Sequence, residues 1–254
     1  MRVVRLHNDP EVLLLYDFVS EAEARALIDG AHFERSPTVC EKSEGCVVAE
    51  RTSSSAAVGS SPTTEALQAR GKVLSRLPMA ETLQVVRYEP GQEYKPHLDA
   101  FDGSEGGRNA TGLYGGRQRE ATILIYLDGP EEGGETVFPE LGLKVAPIPR
   151  AALFWRNVRP DGTIDHRTLH GGAPVHRGVK YAANLWLRGE KDPVYAYALS
   201  EGVVPPSAPE NRKGSVAIVA LGVGLGAIVG GPPGALLGGA VGWTAAMIRR
   251  SLTA

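Results

Sequence analysis

Between residues 82 and 187 the chain breaks into short runs: TLQVVRY (82–88), ATILIYL (121–127), ETVFP (135–139), LKVAPI (143–148), AALFW (151–155) and YAANLWL (181–187). They are rich in β-branched and aromatic residues, and Gly, Pro and Asp punctuate them, which is the pattern of an antiparallel sandwich or barrel. The segment FDGSEGGRNATGLYGGRQRE (101–120) separates two of the runs and is too glycine-rich to be regular. A loop this long inside a compact domain is usually functional. Upstream, SEAEARALIDGAH (20–32) reads as a helix, with Ser20 and Glu23 forming a capping box and Ala24, Leu27, Ile28 and Ala31 at helical spacing. A second helix is expected over 63–77, capped by Thr63 or Thr64, repeating at Ala66, Leu67, Val73, Leu74 and Leu77, and stopped by Pro78.

The 254 residues carry a formal net charge of −2, with 43% hydrophobic and 22% charged residues. That suits one large domain or two small ones and excludes a disordered chain. The absence of a basic excess argues against nucleic acid as a partner. The N-terminal MRVVRLHNDPEVLLLYDF has no long apolar run and no small-residue cleavage site, so a first strand is expected rather than a secretory signal. Cys40 and Cys46, in CEKSEGC, are expected to be free thiols in a reducing cytoplasm.

Chemistry is first visible in His97-Leu98-Asp99. On a strand, residues i and i+2 share a face, so an imidazole and a carboxylate could converge on one metal ion. A third ligand would complete the two-His-one-carboxylate set suited to non-haem Fe(II). His7, His32, His166, His170 and His176 are available. If a 2-oxo acid is the cosubstrate, a cation must hold its distal carboxylate. Lys180 stands ten residues after His170, whereas the residues ten after His166 and His176 are His176 and Trp186. This selects His170, with His166 and His176 expected on exposed loop and turn positions. Gly133-Gly134 is expected to make a tight structural turn.

YEPGQEYKPHLD (88–99), EEGGETVFPE (131–140), AALFWRNVRPDG (151–162) and LHGGAPVHRGVKYAANLW (169–186) occur in this order, with RTSS (51–54) upstream. Together they resemble the catalytic domain of the prolyl 4-hydroxylase alpha-subunit family of 2-oxoglutarate- and Fe(II)-dependent dioxygenases, over roughly residues 10–190. The resemblance implies a double-stranded β-helix (jelly-roll, cupin-like) core, mainly β, with supporting N-terminal helices. It implies Fe(II) held by His97, Asp99 and His170, 2-oxoglutarate and O2 as cosubstrates, and ascorbate as reductant. It further implies Lys180 on the 5-carboxylate of 2-oxoglutarate, Tyr88 hydrogen-bonded to the cosubstrate, Thr122 near the same carboxylate, and Trp186 lining the peptide-side pocket. Ordinary core packing is the alternative for Tyr88, Thr122 and Trp186. Leu187-Arg188 departs from many members and leaves the peptide contacts open.

The glycines divide the chain. Ten of the 31 lie between Gly214 and Gly242, and Gly222, Gly226, Gly230, Gly234, Gly238 and Gly242 recur every fourth residue. The stretch 215–248 has no charged residue and is interrupted by Pro232-Pro233. Small residues at this spacing let helices approach closely. An apolar helical hairpin is expected, associated with a membrane or with a second copy of itself. The expected domains are a dioxygenase domain at 1–199, a Pro-rich linker at 200–214 and a glycine-zipper tail at 215–254, with a cytoplasmic or membrane-associated location. The expected activity is 4-hydroxylation of a prolyl residue in a peptide or protein, yielding succinate and CO2. The alternatives are hydroxylation of a free amino acid or another side chain, and a membrane-anchored scaffold with an inactive barrel.

Overall fold

The computed structural model describes residues 1–36, 51–102 and 115–189. The Cys40/Cys46 pair, most of the glycine-rich loop, the linker and the apolar tail lie outside the described residues. In chain order the strands are β1 (Arg2–His7), β2 (Val12–Tyr16), β3 (Glu34–Arg35), β4 (Ser54–Ala57), β5 (Met79–Ala80), β6 (Gln84–Tyr88), β7 (Tyr94–His97), β8 (Arg119–Asp128), β9 (Glu132–Gly133), β10 (Thr136–Phe138), β11 (Leu143–Val145), β12 (Ala152–Arg156), β13 (His170–Gly172), β14 (Val175–Arg177) and β15 (Lys180–Arg188). Helices α1 (Glu21–Asp29) and α2 (Pro62–Ser75) support them. Among the described residues no helix is long and apolar enough to cross a membrane.

The major sheet has the order β1-β2-β12-β8-β15-β6-β4-β3, with β5 paired to β15. A smaller sheet runs β11-β10-β13-β7, and β14 pairs with β9. The chain is thus mainly β with few helices, consistent with a jelly-roll core. Strand alternation sends successive side chains to opposite faces. On β15, Ala183, Leu185 and Leu187 join Leu27 and Leu67 in the core beneath the helices. The alternate residues Lys180, Ala182, Asn184 and Trp186 face the other way and line a cavity. Strand β12 is buried on both faces: Ala152 and Phe154 pack toward the helices, Leu153 and Trp155 toward the smaller sheet.

Helix α1 starts where expected, with Ser20 and Glu23 satisfying each other's backbone amides. Helix α2 starts earlier than expected. Pro62 has no N–H to satisfy and suits the first helical position, so Ser61 is the cap and Thr64 reaches back to it. Its end also differs: the helix stops at Ser75, with Arg76 left-handed at φ 60°, before Pro78 is reached. The buried stripe is Thr64, Leu67, Gly71 and Ser75, while Ala66 is exposed and Val73, expected inside, is 81% exposed. Gly71 is inside because a Cβ there would lie 2.7 Å from Leu185 Cδ2, so the helix approaches the sheet at its least bulky residue. Gly133 and Gly134 make the expected turn at φ 81° and 71°. A side chain on Gly133 would run into the Pro174 carbonyl.

Leu67 is completely buried and anchors α2 on the sheet. Leu67→Ala should cost about 2–5 kcal/mol, the range for truncating a core leucine. Urea unfolding should show a lower midpoint with an unchanged slope.

Candidate active site

Backbone register assembles the centre. In the antiparallel pair β7–β13, His97 stands opposite His170. Asp99 does not lie on β7, which ends at His97, but in the bend that follows. The two side chains of the HxD therefore converge through a strand end and a bend, not through strand alternation as expected. His97, Asp99 and His170 each offer one ligand atom, all within 4.8 Å of one another. The His170 Nε2 lies 3.6 Å from Asp99 Oδ2, and the His97 Nε2 lies 3.9 Å from Asp99 Oδ1.

The imidazoles are oriented from behind. His97 Nδ1 is 2.9 Å from the Lys95 carbonyl, and His170 Nδ1 is 2.9 Å from the Thr168 carbonyl. A carbonyl only accepts, so each Nδ1 carries the hydrogen and each Nε2 turns its lone pair to the centre. Tyr94 stacks on His97 with ring centroids 3.6 Å apart, and Trp155 meets His170 edge-on at 4.7 Å. Burial, reinforced by the neighbouring His170, holds the His97 imidazolium well below its usual range, so the ring is neutral, as a metal ligand requires. Burial alone would raise the Asp99 carboxyl; the opposing effects of His170, His97, Arg119 and a bond from Thr122 hold it below the usual carboxylate value. Two lone-pair donors and a carboxylate facing one another form a site that fits a divalent cation, and the donor set suits Fe(II).

The triad opens on a cavity of about 500 Å³. At one part of its wall lies Lys180, 3% exposed, its ammonium 5.3 Å from the Tyr88 ring centroid and 5.6 Å from that of Tyr126. Burial pushes its pKa down to about 8, with Glu135 opposing from a distance. Tyr88 is paired with Lys180 across β6–β15 and is buried beside it. Thr136 also lines the cavity, its hydroxyl 2.8 Å from that of Tyr126. Gly134 packs on the lysine stem: a Cβ there would stand 3.3 Å from Lys180 Cδ.

Trp186 lines the cavity, and the Arg119 guanidinium lies 3.6 Å from its ring centroid. Glu81 holds Arg119 through two bonds of 2.7 and 2.9 Å and accepts a third from Arg188 at 2.7 Å. Arg188, whose departure from the family pattern left peptide contacts open, is fully buried in this network. Arg51, the first residue of RTSS, donates to Gln84 and Ser53 and lies over the Tyr94 ring.

Thr122 is not among the residues that line the cavity with Lys180. Its hydroxyl donates to Asp99 Oδ2 at 2.6 Å, so it serves the metal-site carboxylate, while Thr136 is the threonine in the cavity wall with Lys180. The reason is the pleat: Thr122 sits on the inward face of β8 opposite Trp186 of β15, near the end of the sheet where Asp99 arrives. His166 is exposed as expected; His176 is exposed too, but on strand β14 and not in a turn. Sequence reading overlooked Glu81, Arg119, Thr136 and Asn184. Asn184 was recoverable from period two counted back from Trp186, and Thr136 from its place in GGETVFPE. Glu81 carried no local signal.

Residues 83–188 match the 2OG-Fe(II) oxygenase superfamily. The probable prolyl 4-hydroxylase 10 of Arabidopsis thaliana is 37% identical over 207 residues, covering 71% of this chain and 69% of that protein. The human prolyl 4-hydroxylase subunit alpha-3 is 36% identical over 192 residues, covering 72% of this chain and 34% of that protein. Among solved structures, the viral collagen prolyl hydroxylase of Paramecium Bursaria Chlorella virus-1, determined as a 2OG complex, superposes with a TM-score of 0.54 at 28% identity, covering 70% of this chain and 96% of that one. The chain belongs to the prolyl 4-hydroxylase-like family of 2-oxoglutarate- and Fe(II)-dependent oxygenases. It is a 2-oxoglutarate-dependent dioxygenase, with Fe(II) as metal and 2-oxoglutarate as cosubstrate; ascorbate as reductant is a family-level implication.

Glu81 is buried among guanidinium groups, and removing one partner of a buried ion pair typically costs about 3–5 kcal/mol. Glu81→Ala should therefore lower the denaturant midpoint strongly and release Arg119 from its seat on Trp186, visible as a change in tryptophan fluorescence of the folded protein.

Proposed function

We propose that this dioxygenase hydroxylates a prolyl residue, at carbon 4, in a peptide or protein. The observation that carries the chemistry is the triad His97, Asp99 and His170 in the same cavity as a buried lysine. The prolyl substrate is supported by the relatives, which are named prolyl 4-hydroxylases. In this proposal His97, Asp99 and His170 hold Fe(II). Lys180 receives the distal carboxylate of 2-oxoglutarate, with Thr136 and Tyr88 as neighbouring hydroxyl groups. When bound, Fe(II) and 2-oxoglutarate supply the oxidising power: O2 is consumed, 2-oxoglutarate becomes succinate and CO2, and one oxygen atom enters a substrate C–H bond. The apolar surroundings of Lys180 make an unpaired ammonium costly, so a carboxylate partner relieves that cost. Tyr94, Arg119 and Trp186 form the wall that receives the substrate segment and excludes water from the triad.

The tail extends the proposal. In this proposal the uncharged stretch 215–248, with glycine at every fourth position from Gly222 to Gly242, holds the catalytic domain 1–199 at a membrane or to a second copy through the linker 200–214. Uncharged Val, Ile, Leu and Trp content over 34 residues supports this, because water does not tolerate such a surface exposed. Hydroxylation of a free amino acid or of another side chain is the competing activity. Incubation with Fe(II), 2-oxoglutarate and a panel of proline-containing peptides should give succinate together with a mass increase of one oxygen on proline. Succinate with the added oxygen on another residue would transfer the activity to that substrate. His97→Ala and Asp99→Ala should abolish succinate release, and full turnover by either would remove the triad from the mechanism.

Lys180 gives the proposal a pH signature. Its ammonium must be charged to receive a carboxylate, and with a pKa of about 8 in the ligand-free protein the charged fraction disappears as pH rises through that value. Between pH 7 and pH 9, kcat/KM for 2-oxoglutarate should fall about tenfold, since this ratio reports ionisations of the free enzyme. Lys180→Ala should raise KM for 2-oxoglutarate, leave metal binding in place and remove that pH dependence.

A further inference from the structure

Two buried residues outside the cavity are bonded in series to the proposed metal ligand Asp99. Asn157 Nδ2 donates to Thr122 Oγ1 at 2.9 Å, and Thr122 Oγ1 donates to Asp99 Oδ2 at 2.6 Å. Both Asn157 and Thr122 are 1% exposed, and neither is among the residues lining the cavity. The direction of the relay follows from the donor inventory. A carboxylate only accepts, so the single hydroxyl proton of Thr122 goes to Asp99. The hydroxyl oxygen must then accept from Asn157, which turns the amide nitrogen toward Thr122 and its oxygen away. That oxygen, Asn157 Oδ1, is buried and has no hydrogen-bond partner among the described residues. A core built for stability alone avoids such a group. The backbone of Asn157 is pinned on both sides, its N–H donating to the Glu120 carbonyl at 2.9 Å and its carbonyl accepting from Asp165 N–H at 3.0 Å.

We propose, on the footing of the Fe(II) site above, that Asn157 and Thr122 are positioning residues for that metal: they pin one carboxylate oxygen of Asp99, so the side chain keeps a single orientation toward the two imidazoles with which it would hold the cation. Thr122 locks the rotation of the carboxylate, and Asn157 locks the rotation of the Thr122 hydroxyl. Donors in series polarise one another, so the second bond strengthens the first. Partners of this kind behind a ligand typically change metal affinity about 10–100-fold when removed.

The relay has a directional signature that volume does not share. Asn157→Asp keeps the size of the side chain but replaces a donor by an acceptor, which draws the Thr122 proton away from Asp99. Thr122→Val removes the hydroxyl at nearly constant volume, and Thr122→Ser restores it. Mn(II) binding to the full chain, without 2-oxoglutarate, can be followed through the free-ion electron paramagnetic resonance signal, alongside thermal unfolding of the metal-free chain. Thr122→Val and Asn157→Asp should each weaken Mn(II) binding about 10–100-fold, and Thr122→Ser should stay within about threefold of the parent. Should Thr122→Val unfold, Asn157→Asp and Thr122→Ser decide the matter. Parental affinity in Asn157→Asp or Thr122→Val, or an equal loss in Thr122→Ser, overturns the relay while leaving the metal site standing. A parent chain that binds no Mn(II) overturns the metal site and the relay with it.

Discussion

Lone pairs on two imidazoles and a carboxylate repel when nothing lies between them, and here all three are held within 4.8 Å. The barrel supplies the restraint. Antiparallel pairing of β7 with β13 places His97 opposite His170, backbone carbonyls fix the outer nitrogen of each ring, and Tyr94 and Trp155 prevent the rings from turning. Such an arrangement makes sense only around positive charge. The remainder of the molecule can be understood as the support that keeps those three groups facing inward.

That support is organised by alternation along the central strands. Strand β15 shows it most plainly: one set of residues packs beneath α1 and α2, and the interleaved set, from Lys180 to Trp186, is presented to the cavity. The same pleat on β8 delivers Ile123 and Ile125 to the helix-side core and Thr122 to Asp99. One sheet therefore carries stability on one face and chemistry on the other. A lysine buried at 3% exposure is an unfavourable element in such a core, and under the proposed function a carboxylate ligand relieves its cost.

Much of the fold was legible because its signals are local. The β-branched runs became strands β6, β8, β10, β11, β12 and β15, and Ser20 with Glu23 marked α1 from four residues. The limits of α2 differ from the expected 63–77 because Pro62 opens the helix with Ser61 as its cap, and because Arg76 adopts a left-handed conformation that no residue type announces. Among site residues, His97, Asp99, His170, Lys180, Tyr88 and Trp186 all reached the cavity. Thr122 bonds Asp99, and Thr136 lines the cavity unannounced, since a strand residue's face follows from type and period but its neighbour on another strand does not.

By itself the sequence determined which residues could bear the chemistry and which segments would be strands, because hydrophobic period, turn residues and the HxD spacing act over a few positions. Only the tertiary structure decided which of those residues meet. His97 and His170 are 73 positions apart, and Asp99, in the bend after β7 of the smaller sheet, meets Thr122 on β8 of the major sheet and, through it, Asn157 just past β12. Register between distant strands is set by the sum of many packing contacts. The pairs that make this site, Glu81 with Arg119 and Arg188 included, are a property of that packing and leave no mark on any short stretch of sequence.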